Sequence, residues 1–151
     1  MKAVIQRCRN ARVQVDGETV GEIEQGLVIF LGVAAGDDEN CAARLAKKIA
    51  ALRIFDDENG KFKFSLQDVS GAALIVSNFT LYGDARKGTR PNFSAAAGAE
   101  LANRLYESFA KLVIEQGISV QKGVFAAAMQ VEVSNDGPVT LILEATADLP
   151  A

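Results

Sequence analysis

Two continuous apolar segments constrain the possible folds of this chain more than any other feature. Residues 27–33 and 72–81 are rich in β-branched and other large apolar side chains, and they lack the strict alternation that one solvent-facing side would impose. Such segments are typical of strands that are covered on both faces. Between them, Asp37 and Asp38 mark a helix start, and the apolar residues that follow recur at helical spacing. We therefore expect a sheet with buried strands and a helix packed against it.

Shorter segments complete the predicted fold around these two strands. Alternation and turn signals predict further strands at residues 2–8, 12–16, 19–23, 53–55, 62–66, 129–134 and 139–145, and a second helix at about residues 96–116. Asp16-Gly17 fits a hairpin turn, and Gly117 fits a helix C-terminus. The pattern predicts an α+β fold in which residues 1–151 form a single domain. Its sheet is expected to be curved, barrel-like and mostly antiparallel, with two main helices packed on it.

The chain contains no histidine, and this absence restricts its chemistry. Catalysis by a Ser-His-Asp or Cys-His arrangement within the chain is excluded, and so is a metal site that uses histidine. Cys8 and Cys41 have neither CxxC nor zinc spacing, so we expect two small buried residues, although one disulfide stays open. We expect no metal and no cofactor. The net charge of −3 is unfavourable for binding along a nucleic-acid backbone, but it permits a local patch that contacts one end.

The sequence also predicts a cytoplasmic location with no membrane partner. Its longest apolar run, residues 27–35, is far shorter than the ~20 residues that span a bilayer. The first 13 residues carry too many charges for the apolar region of a signal peptide.

The end of the second buried strand is the first candidate for a chemical role. Ser77 and Thr80 could present hydroxyls at a sheet edge, where main-chain N–H groups that leave the ladder could hold an oxyanion. Serine and threonine also end ordinary strands, and Ser-x-x-Thr spacing alone favours that simpler interpretation.

The sequence Asn135-Asp136-Gly137-Pro138 joins the last two predicted strands. Because Asp-Gly is a strong turn signal, an ordinary hairpin is the simpler interpretation. Proline directly after glycine removes a donor where the returning strand should begin, which suits an edge or a special turn. Such a turn could present main-chain carbonyls to a ligand.

A third candidate is a basic loop. Arg86, Lys87 and Arg90 place three cations within five residues. A phosphate contact is the functional interpretation, and a solvated loop is at least as good for so short a run.

Taken together, these segments resemble one family: the D-aminoacyl-tRNA deacylases of the bacterial and eukaryotic type. The resemblance extends over essentially the whole chain. Its matching segments are residues 3–7, 21–23, 31–33, 53–55, 77–81, 90–94, 125–127, 129–131 and 135–140. The family usually has Ser-Gln-Phe-Thr where this chain has Asn78 in place of Gln. The resemblance therefore still implies any role that the family gives to the main chain of residue 78. It does not imply a role that needs the longer side chain of glutamine.

The resemblance implies hydrolysis of the ester between a D-amino acid and the 3′-terminal adenosine of tRNA, and removal of glycine wrongly attached to tRNA. It further implies a homodimer with each active site at the subunit interface. Gly137 and Pro138 of one subunit, joined by a cis peptide bond, would act as a chiral filter in the pocket of the other, and Arg7 would hold that segment in orientation.

The resemblance also assigns the residues around the substrate. Ser77 and Thr80 would lie at the ester, with the main chain of Asn78 and Phe79 beside it. Phe125 and Met129, which taken alone are typical of a core, would line the pocket for the terminal adenosine.

Two mechanisms are compatible with these assignments. Thr80 could be a nucleophile, but it would need an activating base, and the chain offers no histidine. Alternatively, the ribose 2′-hydroxyl beside the ester could assist while main-chain N–H groups hold the oxyanion. We favour the second. The rival functions are a dimeric, non-enzymatic module that binds small amines or nucleotides, and a hydrolase of other acyl esters that uses Thr80.

Overall fold

The fold begins with antiparallel strands, continues through two helix-containing crossovers and ends in one long strand. The structure, a computed structural model, describes residues 1–147. In chain order its elements are β1 (Lys2–Val15), β2 (Glu18–Ile23), β3 (Gly26–Gly32), α1 (Glu39–Ala51), β4 (Phe55–Asp56), β5 (Phe62–Phe64), β6 (Ala72–Ser77), a 3₁₀ helix (Phe79–Tyr82), α2 (Ala99–Glu115), β7 (Ser119–Lys122) and β8 (Gln130–Glu144).

β1 organises the sheet because both of its edges are paired. One edge carries β8 along almost its whole length, from the pair Lys2–Glu144 to the pair Gln14–Gln130. The other edge carries β3 along its first half and β2 along its second half. All three of these pairings are antiparallel.

The remaining pairings of the main sheet are parallel. β6 lies parallel to β3, and β7 lies parallel to β6. Parallel neighbours need a crossover connection, and α1 and α2 lie within these two connections. Antiparallel pairings therefore outnumber parallel ones in a curved, nearly closed sheet with two helices, which confirms the predicted fold class.

Two apolar clusters cover the sheet, and β3 contributes to both. Leu27, Ile29 and Leu31 are buried in the larger cluster, which packs against α1 and α2. Val28 is buried in the smaller cluster with residues of β1, β2 and β6. Successive side chains of a strand point to opposite faces, so a strand covered on both sides must be apolar throughout. This explains the unbroken apolar run that the sequence shows.

Several local predictions are confirmed. Asp16 and Gly17 adopt positive φ angles of 50° and 81° in the turn between β1 and β2. Asp38 caps α1, accepting a hydrogen bond of 2.9 Å at Oδ1 from the N–H of Cys41. Gly117 follows α2 with a φ of 82°. Cys8 and Cys41 are buried free thiols, and burial raises the pKa of Cys8 to about 11.

The predicted hairpin at residues 135–138 is wrong. The segments on both sides of these residues pair with β1, so they are two parts of the single strand β8. Between the pairs Gln6–Thr140 and Cys8–Asn135, the single residue Arg7 of β1 lies opposite the four residues 136–139 of β8. The Asp-Gly sequence therefore lies in a large β-bulge. The strands predicted at residues 2–8 and 12–16 likewise form one strand, β1, which ends at Val15.

The predicted strand at residues 72–81 ends earlier than expected. β6 stops at Ser77, and Phe79 begins the 3₁₀ helix. β7 was not predicted at all, and the strands predicted at 53–55 and 62–66 form a separate two-stranded ribbon of β4 and β5. Among the described residues, no helix is long and apolar enough to cross a membrane.

Candidate active site

A cavity of about 530 Å³ lies at the C-terminal end of β6. Ser77, Asn78 and Phe79 form one part of its wall, and Phe125 and Met129, from the connection between β7 and β8, form another. The other lining residues have apolar side chains, and none of the residues among 1–147 that line the cavity is ionisable. Concave sites of this size with few polar groups are typical of small-molecule binding.

Asn78 turns the chain from β6 into the 3₁₀ helix. Its N–H continues the sheet by donating to the Leu31 carbonyl at 2.8 Å. Its side-chain oxygen accepts from the N–H of Thr80 at 3.2 Å, and the Thr80 hydroxyl donates to the same oxygen. An amide that bonds to the backbone two residues further on is a compact turn motif. The shorter amide of asparagine therefore stabilises the local bend and fixes the direction of the Thr80 hydroxyl.

Phe79 presents both a ring and a main-chain donor at the mouth of the cavity. Its ring is largely exposed and makes an edge contact with Phe93, with 5.2 Å between the ring centroids. Its N–H is the first of the 3₁₀ helix and donates to no acceptor among residues 1–147. An N–H in this position is available to an oxygen of a bound ligand. Thr80 is exposed beside the cavity and does not line it.

The wall that contains Phe125 is fixed by helix α2. The Phe125 ring packs against Tyr106, with 6.0 Å between centroids. The Tyr106 hydroxyl donates to the Ile75 carbonyl of β6 at 2.9 Å, and burial raises the pKa of Tyr106. Ala126, with a positive φ of 60°, then turns the chain along the cavity.

Gly137 and Pro138 lie apart from this cavity. They occupy the bulge of β8, both are exposed, and the peptide bond between them is cis. Neither residue lines the cavity of its own chain. Val131 on the same strand does, and Asn135, where the bulge begins, is about four residues or roughly 14 Å further along.

Arg7 lies directly opposite the bulge and is only 5% exposed. Its Nε donates to the Asp136 carbonyl at 3.2 Å, and its Nη1 donates to the Ile54 carbonyl at 2.7 Å. Its guanidinium also pairs with Asp56 at 3.0 Å and with the Asp136 carboxylate at 3.4 Å. The ring of Phe62 lies 5.7 Å from its Cζ atom. Arg7 therefore joins the β4–β5 ribbon to the residue that precedes Gly137.

Asn135 closes the bulge from within. Its side-chain amide donates to the Val139 carbonyl at 3.1 Å and to the Arg7 carbonyl at 3.0 Å. Sequence reasoning missed this role of Asn135 and the role of Asp56. One signal for Asp56 was present, because Ala3, Ile5 and Arg7 share the buried face of β1, and a buried cation needs a partner.

The structure thus brings together Ser77, Asn78, Phe79, Phe125 and Met129 around one cavity, with Thr80 beside them. It places Arg7, Gly137 and Pro138 in a second group on β1 and β8.

Known proteins resemble this chain along its whole length. A family model described as D-Tyr-tRNA(Tyr) deacylase matches residues 4–144. A D-aminoacyl-tRNA deacylase of Fervidobacterium nodosum is 56% identical over 144 residues, covering 95% of this chain and 97% of the relative. A D-aminoacyl-tRNA deacylase of Thermus aquaticus is 56% identical over 146 residues, covering 97% and 96%.

Solved structures agree with the fold. One titled c-Myc DNA Unwinding Element Binding Protein superposes with a TM-score of 0.90 at 38% identity and covers 97% of this chain and 100% of its own. A second, titled as a probable eukaryotic D-amino acid tRNA deacylase, has a TM-score of 0.84 and covers 95% of this chain and 98% of its own. Because the two chains are only 15% identical, this similarity supports the fold alone. The family match over residues 4–144 and the two bacterial relatives show that this chain belongs to the D-Tyr-tRNA(Tyr) deacylase family.

Proposed function

We propose that this chain, an enzyme of the deacylase family, hydrolyses the ester bond between a D-amino acid and the 3′-terminal adenosine of tRNA. The same activity removes glycine attached to tRNA in error. The observation that carries the proposal is the largely apolar cavity at the end of β6, with Ser77, Asn78 and Phe79 along one wall. Two relatives that are 56% identical are named D-aminoacyl-tRNA deacylases, which supports it. Because charged tRNA is used in translation, the proposed location is the cytoplasm.

In this proposal the terminal adenosine binds between the apolar walls of the cavity. Phe125 and Met129 line that space, and base–aromatic contacts of this kind stabilise binding without reading sequence. The reacting ester then lies at Ser77 and Phe79, where the strand gives way to the 3₁₀ helix.

The proposed reaction is assisted by the substrate. Water adds to the ester carbonyl, the carbonyl oxygen becomes an oxyanion, and the N–H of Phe79 donates to it. The bond to the ribose oxygen then breaks, that oxygen takes the proton lost by the attacking water, and free tRNA and the amino acid are released. The adjacent ribose 2′-hydroxyl orients the water and relays its proton, because the part of the cavity lining that the structure describes holds no ionisable residue.

Thr80 is not the nucleophile in this proposal. Its hydroxyl proton already binds the amide oxygen of Asn78, which is not a base. A nucleophilic hydroxyl needs an adjacent group that accepts its proton.

Chiral selection is proposed to come from a second copy of the chain. Gly137 and Pro138 are exposed and do not line the cavity of their own subunit, so they are free to enter the cavity of a partner. Within residues 1–147, β8 pairs with β1 along one edge and with no strand along the other, and Ile142 on β8 is 67% exposed. Long edge strands with exposed apolar residues are suited to association. The proposed assembly is a homodimer.

A filter of this kind acts by exclusion. The backbone of Gly137 and Pro138 would collide with an L side chain, and rejection by a clash does not require tighter binding of the correct substrate. Glycine has no side chain to collide, so it is accepted. The D side chain points away from the filter, so we expect several D-amino acids to be hydrolysed at similar rates.

The test is hydrolysis of tRNA charged with D-tyrosine, L-tyrosine and glycine. We expect release of D-tyrosine and glycine and retention of L-tyrosine. Substrate that ends in 2′-deoxyadenosine should react at least about a hundredfold more slowly than the ribose form, a loss comparable to removing an acid–base group. Equal rates for the ribo and deoxy forms would reject the assisted mechanism, and no release of D-tyrosine would favour the binding module. Sedimentation equilibrium should give the mass of two chains; a monomer at assay concentration would contradict the shared site.

A further inference from the structure

We propose that the basic loop, residues 84–92, binds the phosphates of the tRNA strand that leads into the cavity, through Lys87 and Arg90. The inference rests on the proposed function, because it concerns the part of the same substrate that lies outside the cavity. It selects the phosphate-contact interpretation of the three cations over the solvated-loop interpretation.

The first reason is the charge balance of the site. None of the described residues that line the cavity is ionisable, so they contribute no positive charge toward a substrate in which every phosphodiester linkage is anionic. The chain as a whole has a net charge of −3. A tRNA end can therefore be held electrostatically only by a local group of cations near the cavity mouth.

The second reason is the position of the basic loop. It follows the 3₁₀ helix that carries Phe79, with Gly83 as the connection. Phe93, directly after the loop, makes the edge contact with Phe79 at the cavity. A methyl group on Gly83 would lie 2.9 Å from the Phe93 ring, which shows how closely the two ends of the loop approach.

The third reason is that the loop is closed at its base. The N–H of Asp84 donates to the Asn92 carbonyl at 2.8 Å, and the N–H of Asn92 donates back to the Asp84 carbonyl at 2.8 Å. The side chain of Asn92 also accepts from the N–H of Ser94 at 2.8 Å. The cations thus lie on a loop whose base is fixed beside the cavity. A preorganised loop loses less conformational entropy when it binds a ligand.

The fourth reason is the distribution of charge within the loop. Arg86 is engaged by Asp84, with its Nη2 2.7 Å from a carboxylate oxygen. Lys87 and Arg90 are exposed and have no acidic partner among the described residues. Lysine binds phosphate as a point charge, and arginine can bind two phosphate oxygens at once. The ligand class that fits is the sugar–phosphate backbone of a nucleic-acid 3′ end.

The experiment compares two double variants in the full-length protein. Lys87→Gln with Arg90→Gln removes the two cations. Lys47→Gln with Lys48→Gln removes the same charge from the exposed side of α1, remote in sequence from the cavity, and is the matched control. Two substrates are used: tRNA charged with D-tyrosine, and D-tyrosyl adenosine, which has the ester without the phosphates.

We expect the loop variant to raise KM for charged tRNA roughly tenfold at 100 mM salt, from the loss of two phosphate contacts. The slope of log kcat/KM against log salt concentration should become shallower by about 1.4, at roughly 0.7 for each single-strand phosphate contact. The ratio of kcat/KM for charged tRNA to kcat/KM for D-tyrosyl adenosine should fall by the same factor as kcat/KM for charged tRNA. The control variant should retain both the slope and this ratio.

Two results would overturn the proposal. A loop variant with the KM and salt slope of the wild type would show that the loop is only solvated. An equal loss on both substrates would show that the loop shapes the cavity and does not bind phosphate. A wild-type enzyme that hydrolyses neither substrate would instead overturn the proposed function, and this inference with it.

Discussion

Arg7 Nε lies 3.2 Å from the main-chain carbonyl oxygen of Asp136, so the central strand of the sheet directly holds the residue that precedes Gly137. The Arg7 side chain is only 6% exposed, and its guanidinium has carbonyl and carboxylate acceptors on several sides. A buried cation is tolerated only when its donors are satisfied. The same contacts that satisfy Arg7 therefore fix the position of the bulge in β8.

Substitution of Arg7 or of its partner Asp56 should weaken chiral selection. Arg7→Lys keeps the charge but loses the planar set of donors, and we expect a loss of about 1–3 kcal/mol in the free energy of unfolding together with faster hydrolysis of L-tyrosyl-tRNA. Asp56→Asn should act in the same direction to a smaller extent. The measurement is the ratio of kcat/KM for D- and L-tyrosyl-tRNA, read beside urea denaturation. Arg9→Gln is the control, since Arg9 also pairs with Asp136, at 3.1 Å, but is largely exposed. An unchanged ratio in Arg7→Lys would contradict the positioning role.

Gly137→Ala should disrupt the bulge. Gly137 has a φ of 126°, which L side chains rarely adopt, and an added Cβ would lie 2.9 Å from Val139 Cγ2 and 3.2 Å from Arg7 Nη2. We expect a loss of about 1–3 kcal/mol in stability and a marked loss of discrimination between D- and L-substrates. Gly36→Ala is the matched control, because a Cβ at Gly36 meets nothing within 4 Å. Full discrimination by Gly137→Ala would remove this segment from the proposed filter.

Asn78 and Thr80 should support the reaction only indirectly. Thr80→Ala removes one neutral hydrogen bond and Asn78→Ala removes two. Each is worth about 0.5–1.5 kcal/mol, so kcat should fall by no more than roughly tenfold for Thr80→Ala and roughly a hundredfold for Asn78→Ala. Loss of a true nucleophile would lower kcat by a factor of roughly 10⁴ or more. Single-turnover kinetics distinguish the two cases. Trapping of an acyl group on Thr80 would establish the nucleophilic mechanism instead.

Stability should decline in acid through three aspartates. Hydrogen bonds from main-chain N–H groups hold the pKa values of Asp38, Asp57 and Asp68 below their usual range. A carboxylate whose folded pKa is depressed contributes stability above its unfolded pKa of about 3.9, and that contribution is lost as the pH falls through the folded value. The urea concentration at the midpoint of unfolding should therefore not depend on these groups above about pH 5. It should decrease as the pH is lowered below about 4. Asp38→Asn keeps a hydrogen-bond acceptor at the helix cap but has no carboxylate to titrate, so stability should decrease less steeply below pH 4 in this variant. An unchanged pH dependence would refute the assignment to Asp38.

Local sequence rules predicted much of the fold because the relevant interactions are local. The cap at Asp38, the turn at Asp16-Gly17 and the apolar character of β3 depend on near neighbours or on simple periodicity. β7 was missed because Val120 is its one large apolar side chain and because its pairing with β6 depends on the crossover through α2.

The bulge of β8 could not be predicted by the same rules. Asp136-Gly137 has the local signature of a hairpin turn, but the two flanking segments find their partner in β1, more than a hundred residues earlier in the chain. The end of β6 was misplaced for a related reason. Phe79 and Leu81 continue the apolar pattern of the strand, whereas the side chain of Asn78 diverts the backbone into the 3₁₀ helix. The cavity and the separation of Gly137 from it are properties of the assembled sheet.

The double pairing of β1 has a consequence for how a damaged molecule would fail. Arg7, which holds the proposed filter, lies on the same strand whose neighbour β3 pairs with β6 up to Ser77. Heat or mutation that releases β1 would therefore loosen the proposed filter together with the cavity wall of Ser77, Asn78 and Phe79. A molecule that has lost β1 is therefore expected to lose activity and selectivity at the same time.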